Sequence, residues 1–148
     1  MGTPTPITGM QLILENAGHK AMKEDVRRKV QALHAQKRTT PKKDWHLLND
    51  QIDETIVEWN RAHPKGANYL DLHWMTLHGA IRFVEREIRQ RSSGVIKLET
   101  GVGHNSKTRN VSRIRERILR RKWKGYTVRV SNSNPGVLIL EEDEWRLR

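Results

Sequence analysis

The sequence predicts an α/β protein of α+β-like character. It should form a two-layer sandwich, with a mixed four-stranded sheet ordered β-α-β-α-β-β along the chain. Helices should cover one sheet face, and a helical extension should precede the whole. Three observations predict this. Short apolar runs alternate with amphipathic helical patterns from Tyr69 onward, which implies right-handed crossovers and parallel pairing of at least the first two strands. The last two runs are joined by a short turn, so they should pair antiparallel. Each of the two helical patterns carries one apolar stripe, enough to cover one face of a sheet.

Residues 1–18 are punctuated by Thr, Pro and Gly and are expected to be a flexible N-terminus. Residues 19–66 should form the helical extension. Within it, Val26, Val30 and Leu33 make a thin stripe. A stronger helix follows, with Thr40 as its expected N-cap and Pro41 at its first position. Trp45, Leu48, Ile52, Ile56 and Trp59 recur at helical spacing along it. Pro64-Lys65-Gly66 should end it and act as a linker.

The compact domain is placed at 67–141. Tyr69–Leu72 reads as its first strand. Thr76 should cap a helix in which Leu77, Ile81, Val84 and Ile88 share one side, while Arg82, Arg86 and Arg89 occupy another. Val95–Thr100 is the second strand. A glycine loop leads to a helix over 111–124, with Gly125 as its expected C-cap. Tyr126–Val130 and Gly136–Leu140 are the last strands, and 142–148 is a charged tail.

Composition narrows the function classes. The 148 residues contain no cysteine, which removes disulfides and thiolate metal sites. No apolar run approaches a membrane span and no secretory signal is visible, so a cytoplasmic protein, or a nuclear one, is expected. The net charge is +11. Between Lys107 and Arg129 ten basic residues face one acid, Glu116, so that segment supplies nine of the eleven charges. A focused field of this sign attracts polyanions, nucleic acid first.

Two motifs give that charge something to serve. On a strand, Asp71 and His73 project to the same face while Leu70 and Leu72 point to the other. Leu70 and Leu72 read as core, so Asp71 and His73 should face away from it or lie at the strand end. A carboxylate bonded to an imidazole fixes its tautomer and raises its basicity, as acid/base catalysis at neutral pH requires. The second motif, Gly101-Val102-Gly103, lies between a strand and a helix N-terminus, a position suited to an anion. His104, Asn105, Ser106 and Lys107 add donors of the kind that grip phosphate oxygens. Parallel strands would bring both motifs to one sheet edge. On the last helix, Arg113, Arg117, Arg120, Arg121 and Lys124 form one basic face, and Arg109 precedes them. Of the remaining histidines, His19, His34, His46 and His63 are expected at the surface and His78 in the first turn of its helix near the site, while Trp45 and Trp59 should pack. Asp71, His73 and His104 could in principle ligate a divalent metal but do not by themselves define a site, so no cofactor is assigned and a metal stays open without support.

These residues, together with the closing Asn134-Pro135-Gly136-Val137-Leu138, resemble the Smr (small MutS-related) domain over about residues 69–141. The resemblance implies a compact α/β sandwich that binds nucleic acid and, in several members, nicks DNA or cleaves RNA. Some eukaryotic members cut messenger RNA at stalled or collided ribosomes. It assigns Asp71 and His73 to the family's Asp-x-His motif, and Gly101 and Gly103 to its glycine loop. Three positions depart from the pattern. Trp74 stands where the family has Gly, Val102 where it has Arg or Lys, and Asn105 where it has His.

The expected function is therefore a nucleic-acid-binding endonuclease, with RNA favoured over DNA and the ribosome as a further partner. It should be monomeric and should not bind membranes. Asp71 and His73 would be catalytic, and Gly101, Gly103 and residues 104–107 would hold the phosphate. Arg109 and the basic face of the last helix would follow the backbone. Alternatives are a non-catalytic nucleic-acid or ribosome-binding module, and an adaptor that docks a protein on its Trp45–Trp59 stripe.

Overall fold

A computed structural model describes residues 9–90, 94–102 and 109–143 of the chain. The described elements are α1 (Gly9–Gln36), α2 (Trp45–Ala62), β1 (Tyr69–Asp71), α3 (Leu77–Gln90), β2 (Val95–Glu99), α4 (Arg109–Arg120), β3 (Tyr126–Val130) and β4 (Val137–Glu142). The sheet is mixed, in the order β1-β2-β4-β3. β1 and β2 are parallel, with Asp71 opposite Glu99. β4 runs antiparallel to both β2 and β3. The α+β architecture and strand directions are those expected from the alternating pattern. No helix among the described residues is long and apolar enough to cross a membrane.

The sheet is two-faced because its strands alternate. Ile96 and Leu98 are buried, whereas Lys97 on the opposite side is exposed. Leu138 and Leu140 continue the buried row, with Ile114 and Ile118 of α4 and Val84 of α3 in the same cluster. The crossovers fix the helix directions. β3 is parallel to β2 by way of β4, so α3 and α4 both return the chain against the strand direction. Their N-termini therefore point toward the edge where β1 and β2 end.

The extension departs from expectation in three ways. First, α1 begins at Gly9, inside the stretch expected to be irregular. Only Gly18 interrupts helix-permissive sequence there, and one glycine weakens a helix by only about 1 kcal/mol. Second, Thr40 does not cap α2. Its hydroxyl donates to the Gln36 carbonyl at 2.8 Å, and Pro41 adopts an extended ψ of 143°. The chain then makes a short 3₁₀ turn over Lys42–Asp44 before α2 begins. Third, Pro64–Gly66 does not separate two cores, because Val30, Leu33, Leu48, Ile52 and Ile56 belong to the same buried cluster as Leu70 and Leu98.

α2 braces the domain at two points. The Asp53 carboxylate accepts the Thr76 backbone N–H at 2.9 Å and the Thr76 hydroxyl at 2.7 Å. Thr76 in turn caps α3 as expected, with its Oγ1 accepting the Gly79 N–H at 3.0 Å. Further along α2, Asn60 grips the outer edge of β1. Its side chain accepts the Asp71 N–H at 2.8 Å and donates to the Asp71 carbonyl at 3.0 Å. α4 ends at Arg120, short of the expected 124, and Gly125 takes its positive φ of 82° in the turn into β3.

Candidate active site at the ends of β1 and β2

The ends of β1 and β2 assemble an ionic cluster. Asp71 closes β1, and His73 follows where the chain leaves the sheet. His73 Nδ1 is hydrogen-bonded to Asp71 Oδ1 and lies 3.5 Å from Glu99 Oε2. Glu99 ends β2 directly opposite Asp71. Lys65, from the turn after α2, places its ammonium 2.8 Å from Glu99 and 3.4 Å from Asp71. Tyr69 donates its hydroxyl to Glu99 at 2.8 Å. Two carboxylates, one lysine and one imidazole thus share a single site.

Burial is unequal within it. Asp71 lies at the strand end, one of the two placements expected, yet it is only 5% exposed, because α2 covers the outer side of β1. The His73 side chain keeps 32% of its surface open. Burial alone would disfavour the imidazolium. Hydrogen bonds to Asp71 and Glu99, and their negative charge, outweigh that and raise the pKa of His73 to about 9. The reciprocal bond from His73, aided by Lys65, holds Glu99 well below the usual carboxylate range despite its burial. Lys65 is raised, since Glu99 and Asp71 more than offset its own desolvation. At neutral pH His73 therefore carries a proton it can donate.

Asp71, His73 and Glu99 offer ligand atoms within 4.8 Å of one another, a spacing that could surround a metal ion. The Lys65 ammonium and the His73 imidazolium already balance the two carboxylates there. A metal would have to displace Lys65 and take the His73 proton, which weakens the fit.

Of the glycine loop, Gly101 and Val102 are described. Gly101 has φ 77°, and its N–H donates to the Gly136 carbonyl at 3.0 Å. A Cβ on Gly136 would lie 3.3 Å from the Gly101 Cα and from Asn134 Oδ1. The Asn134-Pro135-Gly136 turn thus packs closely on the loop's first glycine. Gly103, His104, Asn105, Ser106 and Lys107 lie outside the described residues, as does the Arg109 side chain. Arg113, Arg117, Arg120, Arg121 and Lys124 are exposed as expected.

Arg117 and Arg121 also line one wall of a groove of about 620 Å³ between α3 and α4, opposite Arg82, Arg86 and Arg89. Glu85 is the acid in it and pairs with Arg121. The histidines outside the cluster divide. His19 and His46 are exposed, but His63 and His34 are partly buried, and the His34 Nε2 meets the Trp74 carbonyl at 3.0 Å.

Glu99, Lys65 and Asn60 were not recognised from the sequence. Glu99 left a trace, since it alternates with Lys97 off the buried Ile96-Leu98 row. Its register against Asp71 had no local signal. Comparison with family models, curated proteins and solved structures returns no match.

Proposed function

We propose that this protein binds nucleic acid, RNA in preference to DNA, and cleaves its phosphodiesters with His73 as the proton donor. One observation carries the reading: a protonated, partly exposed imidazole held between two carboxylates at the strand edge toward which α3 and α4 point their N-termini. The arginines of the α3–α4 groove supply a surface for a polyanion. The resemblance of the Asp71-x-His73 and Gly101-x-Gly103 motifs to Smr domains supports the same reading. It also favours cytoplasmic messenger RNA at the ribosome as the substrate.

In RNA the neighbouring 2′-hydroxyl attacks phosphorus and releases its proton to solvent. The bond from phosphorus to the 5′-oxygen breaks, and the His73 imidazolium protonates that oxygen. The products are a 2′,3′-cyclic phosphate and a 5′-hydroxyl end. Asp71 and Glu99 hold the ring in place and keep it charged until the transfer.

A second reading, a binding module without chemistry, is favoured by the way Lys65 and His73 together balance the two carboxylates, as in a structural ion network. Cleavage of end-labelled single-stranded RNA separates the two. His73→Ala should slow cleavage by about 10²–10⁴-fold, Asp71→Asn should also slow it, and both variants should still bind. Equal rates for parent and variants would refute catalysis by this pair.

A further inference from the structure

Beside the ionic cluster lies a pocket of about 500 Å³ whose other walls come from the N-terminal extension. Val26 and Val30 of α1 and Ile56 of α2 form apolar wall, and Trp59 and Trp74 contribute two indole rings. Asp71 and His73 line the same pocket, so it opens directly onto the candidate proton donor. Lys20, Lys23 and Arg27 add cations from α1, with Glu24 the acid among them.

The rings are held in place. The Arg27 guanidinium lies 5.6 Å from the Trp74 ring, and the His73 and Trp74 rings are 5.8 Å apart. On the other side, His63 packs on Trp59 at 4.2 Å between centroids, and His19 at 5.4 Å. Trp74 has φ 74°, the one non-glycine positive φ among the described residues. A bulky residue persists in that region only when its surroundings enforce it, and such residues cluster at functional sites. Here α1 does so through His34, which meets the Trp74 carbonyl.

Flat aromatic walls, cations and a volume within the usual range for ligand pockets, about 300–1,000 Å³, suit a nucleobase carrying a phosphate. We propose that the pocket takes one unpaired base of the bound strand, from the nucleotide next to the phosphodiester presented to His73. The proposal rests on the nucleic-acid reading above and deepens it. It makes α1 part of the substrate site. It also selects single-stranded or unstacked substrate, because a paired base cannot enter.

The test is a fluorescence titration of the full chain with adenosine 5′-monophosphate, and with ribose 5-phosphate as the control lacking a base. The nucleotide should quench tryptophan emission saturably and bind about tenfold or more tighter than the sugar phosphate, as expected for one stacked base. Trp74→Gly and Trp59→Leu should each remove most of that advantage. Lys43→Ala, at an exposed residue that does not line the pocket, should leave it unchanged. Equal binding of nucleotide and sugar phosphate, no nucleotide binding, or full binding by both folded tryptophan variants would overturn the pocket.

The unaltered protein answers the question a second way. Single-stranded RNAs with one abasic position, moved along the strand, should show an affinity loss of about tenfold at one position. A uniform profile overturns the pocket alone. RNA that does not bind the parent at all overturns the nucleic-acid reading, and the pocket with it.

Discussion

His73 is the residue on which the chemistry turns, and its neighbours determine its charge. Hydrogen bonds donated to two carboxylates raise its pKa to about 9 against desolvation. The folded state thus favours its proton. The stability this contributes is fully present below the unfolded value of 6.5 and is lost as pH rises through about 9. Activity that depends on the imidazolium should fall over the upper part of the same window. Glu99→Gln should lower the His73 titration midpoint toward the ordinary value, followed through its ring protons by NMR. An unchanged midpoint would show that Glu99 does not hold the charge. Trp74 shows a different control, exerted on the backbone. A left-handed non-glycine residue carries about 1–2 kcal/mol of strain, so the Trp74→Gly variant used to test the pocket should keep its fold while losing its ring. Asp71 and His73 were legible as a pair because they stand two residues apart at the end of a short apolar run, within reach of one hydrogen bond. Glu99 was not, because its partner Asp71 is nearly thirty residues away and the register of a parallel pair depends on the whole crossover.

Among the elements, α2 determines where the others begin and end. Its Asp53 carboxylate receives the first turn of α3, and the fit depends on a missing side chain. A Cβ on Gly79 would stand 2.1 Å from the Asp53 carboxylate. Gly79→Ala should therefore destabilise the protein by about 1–3 kcal/mol as the contact is forced apart, measured as a lower midpoint in urea with an unchanged slope. The double change Gly79→Ala with Asp53→Ala should recover part of the loss. Strands and the two domain helices were legible from alternation and from the Thr76 cap, whose signals lie within a few residues. The start of α2 was not. Thr40-Pro41 is a good opening pair, but the Gln36 carbonyl at the end of α1 captures the Thr40 hydroxyl. Local patterns cannot reveal which of two nearby helix ends will claim a side chain.

Over the whole molecule, the extension and the sheet domain fold around one core. Leu48, Ile52 and Ile56 sit in the same cluster as Leu72, Met75 and Phe83. A chain cut to residues 67–148 would expose that cluster and lose both the Asp53 and Asn60 contacts. It should show no cooperative thermal transition by circular dichroism, whereas the full chain should melt in one step. A cooperative melt of the shortened chain would mean that the sheet domain stands alone. The amphipathic stripe of α2 was visible in the sequence, but whether it met a partner protein or its own sheet depended on where the chain turned after Pro64. The Asn60 side chain has a further effect on how copies of the protein behave together. Sheet margins with unpaired amides recruit strands from other molecules and seed aggregates. By saturating both outward groups of Asp71, one asparagine denies β1 that role, so the concentration at which the protein stays dispersed is governed in part by a residue with no role in its chemistry.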